Sequence, residues 1–145
     1  MTTASSDQAA IAALTQRMVT GWAYGEAETI ANLFVEDGTL ILPGVFANGR
    51  DEILDYFQKA FSGKYKDTQV TGKPISIRPL AADVAILLSH GGVLETGETE
   101  VSETGAIRAS WLCVRRDSEW KLAAYQNSPR YDVAASGSGA AERVA

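Results

Sequence analysis

Sulfur, imidazole and net positive charge are all scarce in this chain, and each shortage excludes a class of function. Its 145 residues include one cysteine, Cys113, and one histidine, His90. A lone cysteine allows no intramolecular disulfide, and Cys113 lies in an apolar run, the setting of a small buried hydrophobe in a reducing cytoplasm. One cysteine and one histidine cannot supply a spaced zinc-ligand set, and they are weak material for a nucleophilic dyad. The formal net charge of -5 and sequence pI near 4.8 oppose attraction to nucleic acid or to an anionic membrane surface. Long apolar runs are missing too, since the longest plain one, residues 84–88, is far too short to span a bilayer. The opening residues lack the basic and apolar regions of a secretory signal, so a cytoplasmic location is expected. No GxGxxG, P-loop or GxSxG pattern is present, which leaves nucleotide and serine-hydrolase chemistry without residues. Neither a cofactor nor a metal is expected.

What is present organises itself around residues 108–127, RASWLCVRRDSEWKLAAYQN, where two apolar strands flank a polar turn. Which residues share a face depends on the loop between them. An even loop at Asp117-Ser118 groups Trp111 and Cys113 with Trp120, Leu122, Ala124 and Gln126, and sets Arg108 and Ser110 beside Tyr125 and Asn127. An odd loop exchanges these groupings and puts Arg108 beside Gln126. In either register both faces carry large apolar groups, so one face should pack on helices and the other should meet a second subunit.

The rest of the chain fits one domain over residues 1–132 with a small-residue tail over 133–145. At this length the core buries roughly two thirds of the unfolded surface without disulfides or metals. Ile11, Leu14, Met18 and Trp22 recur at helical spacing before Gly25, and a shorter helical segment covers 27–34. The turn Glu36-Asp37-Gly38 precedes a strand over 39–42, which Pro43-Gly44 interrupts before its possible continuation over 45–47. Ile53, Leu54, Phe57 and Phe61 mark a third helix that Gly63 ends. Strand signals then run over 68–79 and 84–93, where Gly91-Gly92 suggests a bulge or sharp bend. The acidic stretch 95–104 reads as a solvated hairpin tip. Helices first and an antiparallel meander afterwards define an α+β layout.

The segments WAYGEAETIANLFVEDGTLILPG, GRDEILDYF and SWLCVRRDSEWKLAAYQNS resemble the nuclear transport factor two-like superfamily, which also holds ketosteroid isomerase, scytalone dehydratase and the SnoaL-like polyketide cyclases. The resemblance covers about residues 7–131 and is strongest toward the SgcJ/EcaC-type proteins of enediyne biosynthesis. It implies a cone-shaped, curved, mostly antiparallel sheet wrapped around three N-terminal helices, a pocket between helices and sheet, and a homodimer. It further implies a role on a linear polyene polyketide, with contact to polyketide synthase-associated enzymes. The isomerase chemistry itself does not carry over: its general base falls on Leu42, its phenol on Met18, and its acidic donor strand on the apolar residues 109–114.

Four polar residues remain as catalytic candidates. His90 is the one side chain with an ordinary pKa near neutrality, although a satisfied structural histidine is as common in a strand. Arg108 offers a fixed fork of donors, or else a structural ion pair. Gln126 and Asn127 can orient a carbonyl or simply end the strand. Trp22, Tyr24, Phe57, Trp111 and Trp120 are the candidate aromatic walls for an apolar ligand, weighed against plain core roles. Two functions follow. One is a cofactor-independent cyclase, isomerase or dehydratase, and the other is a binding module that sequesters a reactive polyene.

Overall fold

A computed structural model of the chain describes residues 5–132, so the expected tail over 133–145 lies outside the described residues. Helices α1 (Ser5–Ala23), α2 (Ala27–Ala31) and α3 (Arg50–Phe61) cover one face of a curved, unclosed sheet. Its strands are β1 (Phe34–Leu42), β2 (Val45–Asn48), β3 (Gln69–Ala81), β4 (Val84–Leu94), β5 (Ala106–Arg116) and β6 (Glu119–Pro129). They run in the order β2-β1-β6-β5-β4-β3, with β1 parallel to β6 and every other pair antiparallel. The α+β reading of the sequence holds. No helix among the described residues is long and apolar enough to cross a membrane.

The stripe Ile11, Leu14, Met18 and Trp22 buries α1 against the sheet, and Ile53 and Phe57 do the same for α3. Trp22 is the hub: its ring meets those of Phe57 at 5.6 Å, Phe61 at 5.4 Å and Tyr65 at 4.6 Å. Its indole N–H donates to Thr68 Oγ1 at 2.9 Å, and that hydroxyl donates to the Tyr65 carbonyl at 2.7 Å. The end of α1 is thereby tied to the turn leaving α3. At the other end of α1, Asp7 accepts from Arg115 at 2.7 Å and from the Trp120 indole at 3.2 Å, pinning the helix to the β5–β6 hairpin.

Two of the three two-residue hairpins use turn residues with positive φ that suit the job. Gly44 (φ 76) lets Pro43-Gly44 reverse the chain, and Asp117-Ser118 (φ 52 and 67) form a two-residue turn of the primed kind that matches strand twist. The loop between β5 and β6 is therefore even. Residues 45–47 pair back onto β1 instead of extending it, and the short helix stops at Ala31 because Phe34 and Val35 commit to buried strand positions, with Leu33 buried in the turn between.

The bulge expected at Gly91-Gly92 is absent. Register is continuous there, with Gly91 opposite Gly72 and Gly92 opposite Thr71. The glycines serve close backbone approach instead: a Cβ on Gly91 would run into the Thr71 carbonyl oxygen. The actual irregularities on β3 follow Pro74 and Pro79, where Ile75 and Leu80 are the extra residues. That suits an edge strand, which prolines and bulges protect from pairing with another chain.

Cys113 is fully buried, and burial pushes its thiol up to about 12. Two results are expected. A thiol reagent at mildly alkaline pH leaves the native protein unlabelled and modifies Cys113 only in denaturant. Gly91→Ala lowers the urea midpoint by a stability equivalent of about 3 kcal/mol, because β3 must move away from β4; an unchanged midpoint contradicts the close approach.

Candidate functional site

Between α1, the turn after α3 and the inner face of β3 to β6 lies a cavity of about 490 Å³. Its walls are aromatic and aliphatic, supplied by Met18, Trp22, Leu42, Phe57 and Trp111 among others. The loop over 95–105 supplies Glu95, Glu98, Ser102 and Thr104, so the acidic stretch is a wall of the cavity as well as a surface tip. It is held by its own bonds, with the Glu95 N–H donating to Glu98 Oε1 at 2.8 Å and Thr96 Oγ1 donating to the Asp67 carbonyl at 3.3 Å.

One extra residue decides what β6 shows this cavity. Cys113 pairs with Leu122, but Leu112 pairs with Ala124, so Ala123 is bulged out and the parity of β6 reverses beyond it. Before the bulge Trp120 and Leu122 face the core. After it Trp111 faces Tyr125, ring centroids 4.9 Å apart and edge to face, and Ala109 faces Asn127. Neither simple register anticipated from the sequence contains this switch, which joins the even loop to the outward grouping of Arg108 with Gln126.

The switch sorts the candidates. Asn127, Trp22, Phe57 and Trp111 line the cavity. His90, Arg108 and Gln126 do not, because they occupy the opposite side of the sheet, away from the helices. Trp120 is buried at the far end of the core against Asp7, and Tyr24 is 76% exposed beyond α1. Tyr125 was missed. Tyr125 shares a face with Asn127 in either register; the bulge is what turns that face toward Trp111 behind an even loop, and Ala123-Ala124 carries no composition signal for it.

At the polar end of the cavity, Asn127 Nδ2 donates to the Tyr125 hydroxyl at 3.1 Å, while Asn127 Oδ1 is buried and has no hydrogen-bond partner in the protein. Turning the amide over only exchanges which of its atoms is left over. A buried polar atom without a partner costs about 1–3 kcal/mol, so this one is a candidate contact for a ligand donor. Burial pushes the Tyr125 phenol up to about 12, and it raises Tyr65 further, helped by the Tyr56 hydroxyl. Both phenols stay protonated at neutral pH. Across the cavity Trp111 Nε1 donates to Ser89 Oγ at 2.9 Å. Among the described residues no group of three acids, histidines or cysteines is placed to hold a metal.

The chain's residues 3–126 match the SnoaL-like domain, and the chain belongs to that family, which includes polyketide cyclases and ketosteroid isomerases. Among solved structures it is similar to a domain of unknown function with a cystatin-like fold from Nostoc punctiforme, 26% identical, TM-score 0.84, covering 92% of this chain and 83% of that one. A cystatin-like protein from Novosphingobium aromaticivorans (22%, TM-score 0.73, coverage 90% and 86%) shares the fold. So does a ketosteroid isomerase-like protein from Erwinia carotovora (18%, TM-score 0.70, coverage 88% and 99%). No curated protein matches. The cavity positions Leu42 and Met18, where the resemblance places the isomerase's base and phenol, are apolar walls here.

The unpartnered amide makes a direct prediction. Asn127→Leu removes a desolvated acceptor and also the donor to the Tyr125 hydroxyl, so the two effects offset and the ligand-free protein changes in stability by less than about 1 kcal/mol. Chemical denaturation checks this, and a loss beyond about 2 kcal/mol contradicts a ligand contact and marks Asn127 as structural.

Proposed function

We propose that this SnoaL-like protein is a cofactor-independent enzyme of the cyclase, isomerase or dehydratase kind, acting on a linear polyene polyketide in enediyne antibiotic biosynthesis. The observation that carries the reading is a cavity with aromatic walls and a neutral polar end, where Asn127 Oδ1 lacks a protein partner beside the Tyr125 hydroxyl. A conjugated chain is flat and apolar, and its volume suits a cavity in the ~300–1,000 Å³ range of small-molecule sites. The resemblance to SgcJ/EcaC-type proteins supplies the pathway.

The chemistry follows from the donors. Because Tyr125 accepts from Asn127, its own O–H is available to a substrate oxygen, and Asn127 Oδ1 can accept from a substrate O–H. Neutral donors in a dry cavity polarise a carbonyl and stabilise an enol-like state as charge develops, without the cost of burying an ion. Among the lining residues, Glu95, Glu98 and Lys64 are the groups able to exchange protons with it.

One observation favours a second reading. No imidazole lines the cavity, and its phenols are held above their ordinary range, so the site is short of groups that titrate near neutrality. A binding module that shields the polyene and passes it to polyketide synthase-associated enzymes needs only the aromatic walls. We also propose a homodimer through the outer sheet face, supported by the outward apolar residues Ile86, Leu88 and Leu112 at its centre.

Titration with a linear polyene, following tryptophan fluorescence and polyene absorbance together, separates these readings. The enzyme predicts quenching and then a spectral change that Tyr125→Phe slows at least tenfold with affinity nearly intact. Quenching with a constant polyene spectrum supports the binder, and no quenching overturns both. Sedimentation at micromolar concentration tests the dimer, which a monomer-sized boundary contradicts.

A further inference from the structure

The outer face of the sheet holds a second cluster that the cavity does not use. Cross-strand register sets Lys73 of β3 opposite His90 of β4, and His90 opposite Arg108 of β5. Strands lie about 4.8 Å apart, so Lys73 and Arg108 start roughly 10 Å from each other, and their long side chains can converge above the imidazole between them. Arg108 Nε approaches His90 Nε2 at 3.5 Å, a long contact in which the neutral imidazole accepts. Arg130, just past β6, is held beside β5 by its backbone N–H, which donates to the Ala106 carbonyl at 2.9 Å two residues from Arg108, and its guanidinium lies 5.4 Å from the Tyr131 ring centroid.

This grouping is unfavourable by itself. Like charges on neighbouring strands repel, and a chain with a net charge of -5 has acids to spare for pairing. None is used here. The row from Lys73 to Arg108 contains no acid, and neither do the two adjoining rows that start at Thr71 and Ser76. Among the described residues, no ion pair involves Lys73, Arg108 or Arg130.

We propose that Lys73, His90, Arg108 and Arg130 form a binding site for a phosphate group at the end of the outer sheet face, beside the Ile86, Leu88 and Leu112 patch through which the dimer is proposed and separate from the cavity. A carboxylate needs only one arginine fork, whereas donors converging from three strands and the segment after β6 suit a tetrahedral dianion. His90 makes the site responsive to pH. Partial desolvation, then the neighbouring Arg130, Arg108 and Lys73, hold its pKa below the ordinary imidazole value, so it is neutral at pH 7 without a ligand. A bound dianion raises that pKa, binding takes up a proton, and the site tightens as pH falls between the two midpoints.

Because His90 is the only histidine, its imidazole Cε1–H resonance reports the site without ambiguity. Its titration midpoint is measured in chloride and in inorganic phosphate at equal ionic strength, with glycerol phosphate as a parallel probe. Either phosphate probe is expected to raise the midpoint by about one pH unit, the larger effect identifying the free ion or the monoester as the preferred form, and Arg108→Gln is expected to abolish the rise. A midpoint identical in phosphate and chloride overturns the site, as does a rise that survives undiminished in Arg108→Gln.

Discussion

A nested pair of irregularities in β1 and β6 carries the architecture of the cavity. β6 holds one extra residue, Ala123, against β5, and against β6 in turn β1 skips from Phe34 to Thr39 over the same point. The loop-out in β1 fits only because Gly38 has no Cβ, which would sit 3.1 Å from the Leu122 carbonyl oxygen and from the Phe34 ring. Backbone groups freed by the broken ladder find other partners. The Leu122 N–H donates to the Leu33 carbonyl at 2.8 Å, and Arg50 forks onto the Phe34 carbonyl at 3.0 and 2.6 Å. With those groups satisfied, the bulge is a stable feature of the sheet.

The Tyr125–Asn127 end of the site follows from that half-turn of parity. Ahead of the bulge β6 gives the core Trp120 and Leu122, and past it the same face receives Tyr125 and Asn127. The cavity thus gains two neutral hydrogen-bonding groups next to Trp111, and the outer face takes Arg108 and Gln126 together with His90 on β4. Ions left in an apolar cavity would demand partners; placed on the outside they remain hydrated and free to attract anions. The outer face thus carries the histidine and arginine candidates, while the Tyr125–Asn127 end of the cavity is uncharged and the cavity's charged lining comes from Lys64, Glu95 and Glu98.

Much of the fold was legible because it rests on periodicity and turn chemistry. The 3.6-residue stripe of α1, the even turn at Asp117-Ser118 and the switch from helices to strands after Gly63 all carry composition signals that survive folding. The site was legible only in part. Trp22, Phe57, Trp111 and Asn127 were recognisable as large or amide side chains on the right elements, but the bulge at Ala123 is written in two alanines that say nothing about register. His90, Arg108 and Gln126 were candidates on residue type alone, and the faces they occupy were left open by the undetermined register. Gly91-Gly92 misled for a related reason, since glycine in a strand signals close approach as readily as a bulge.

The parity switch is open to direct measurement by nuclear Overhauser contacts from the Asn127 side-chain amide protons. The account predicts contacts to the Tyr125 and Trp111 rings and none to Arg108 or Ser110. Contacts to Arg108 and Ser110 instead would mean that β6 runs without its bulge, and the cavity would lose the polar end on which its chemistry rests.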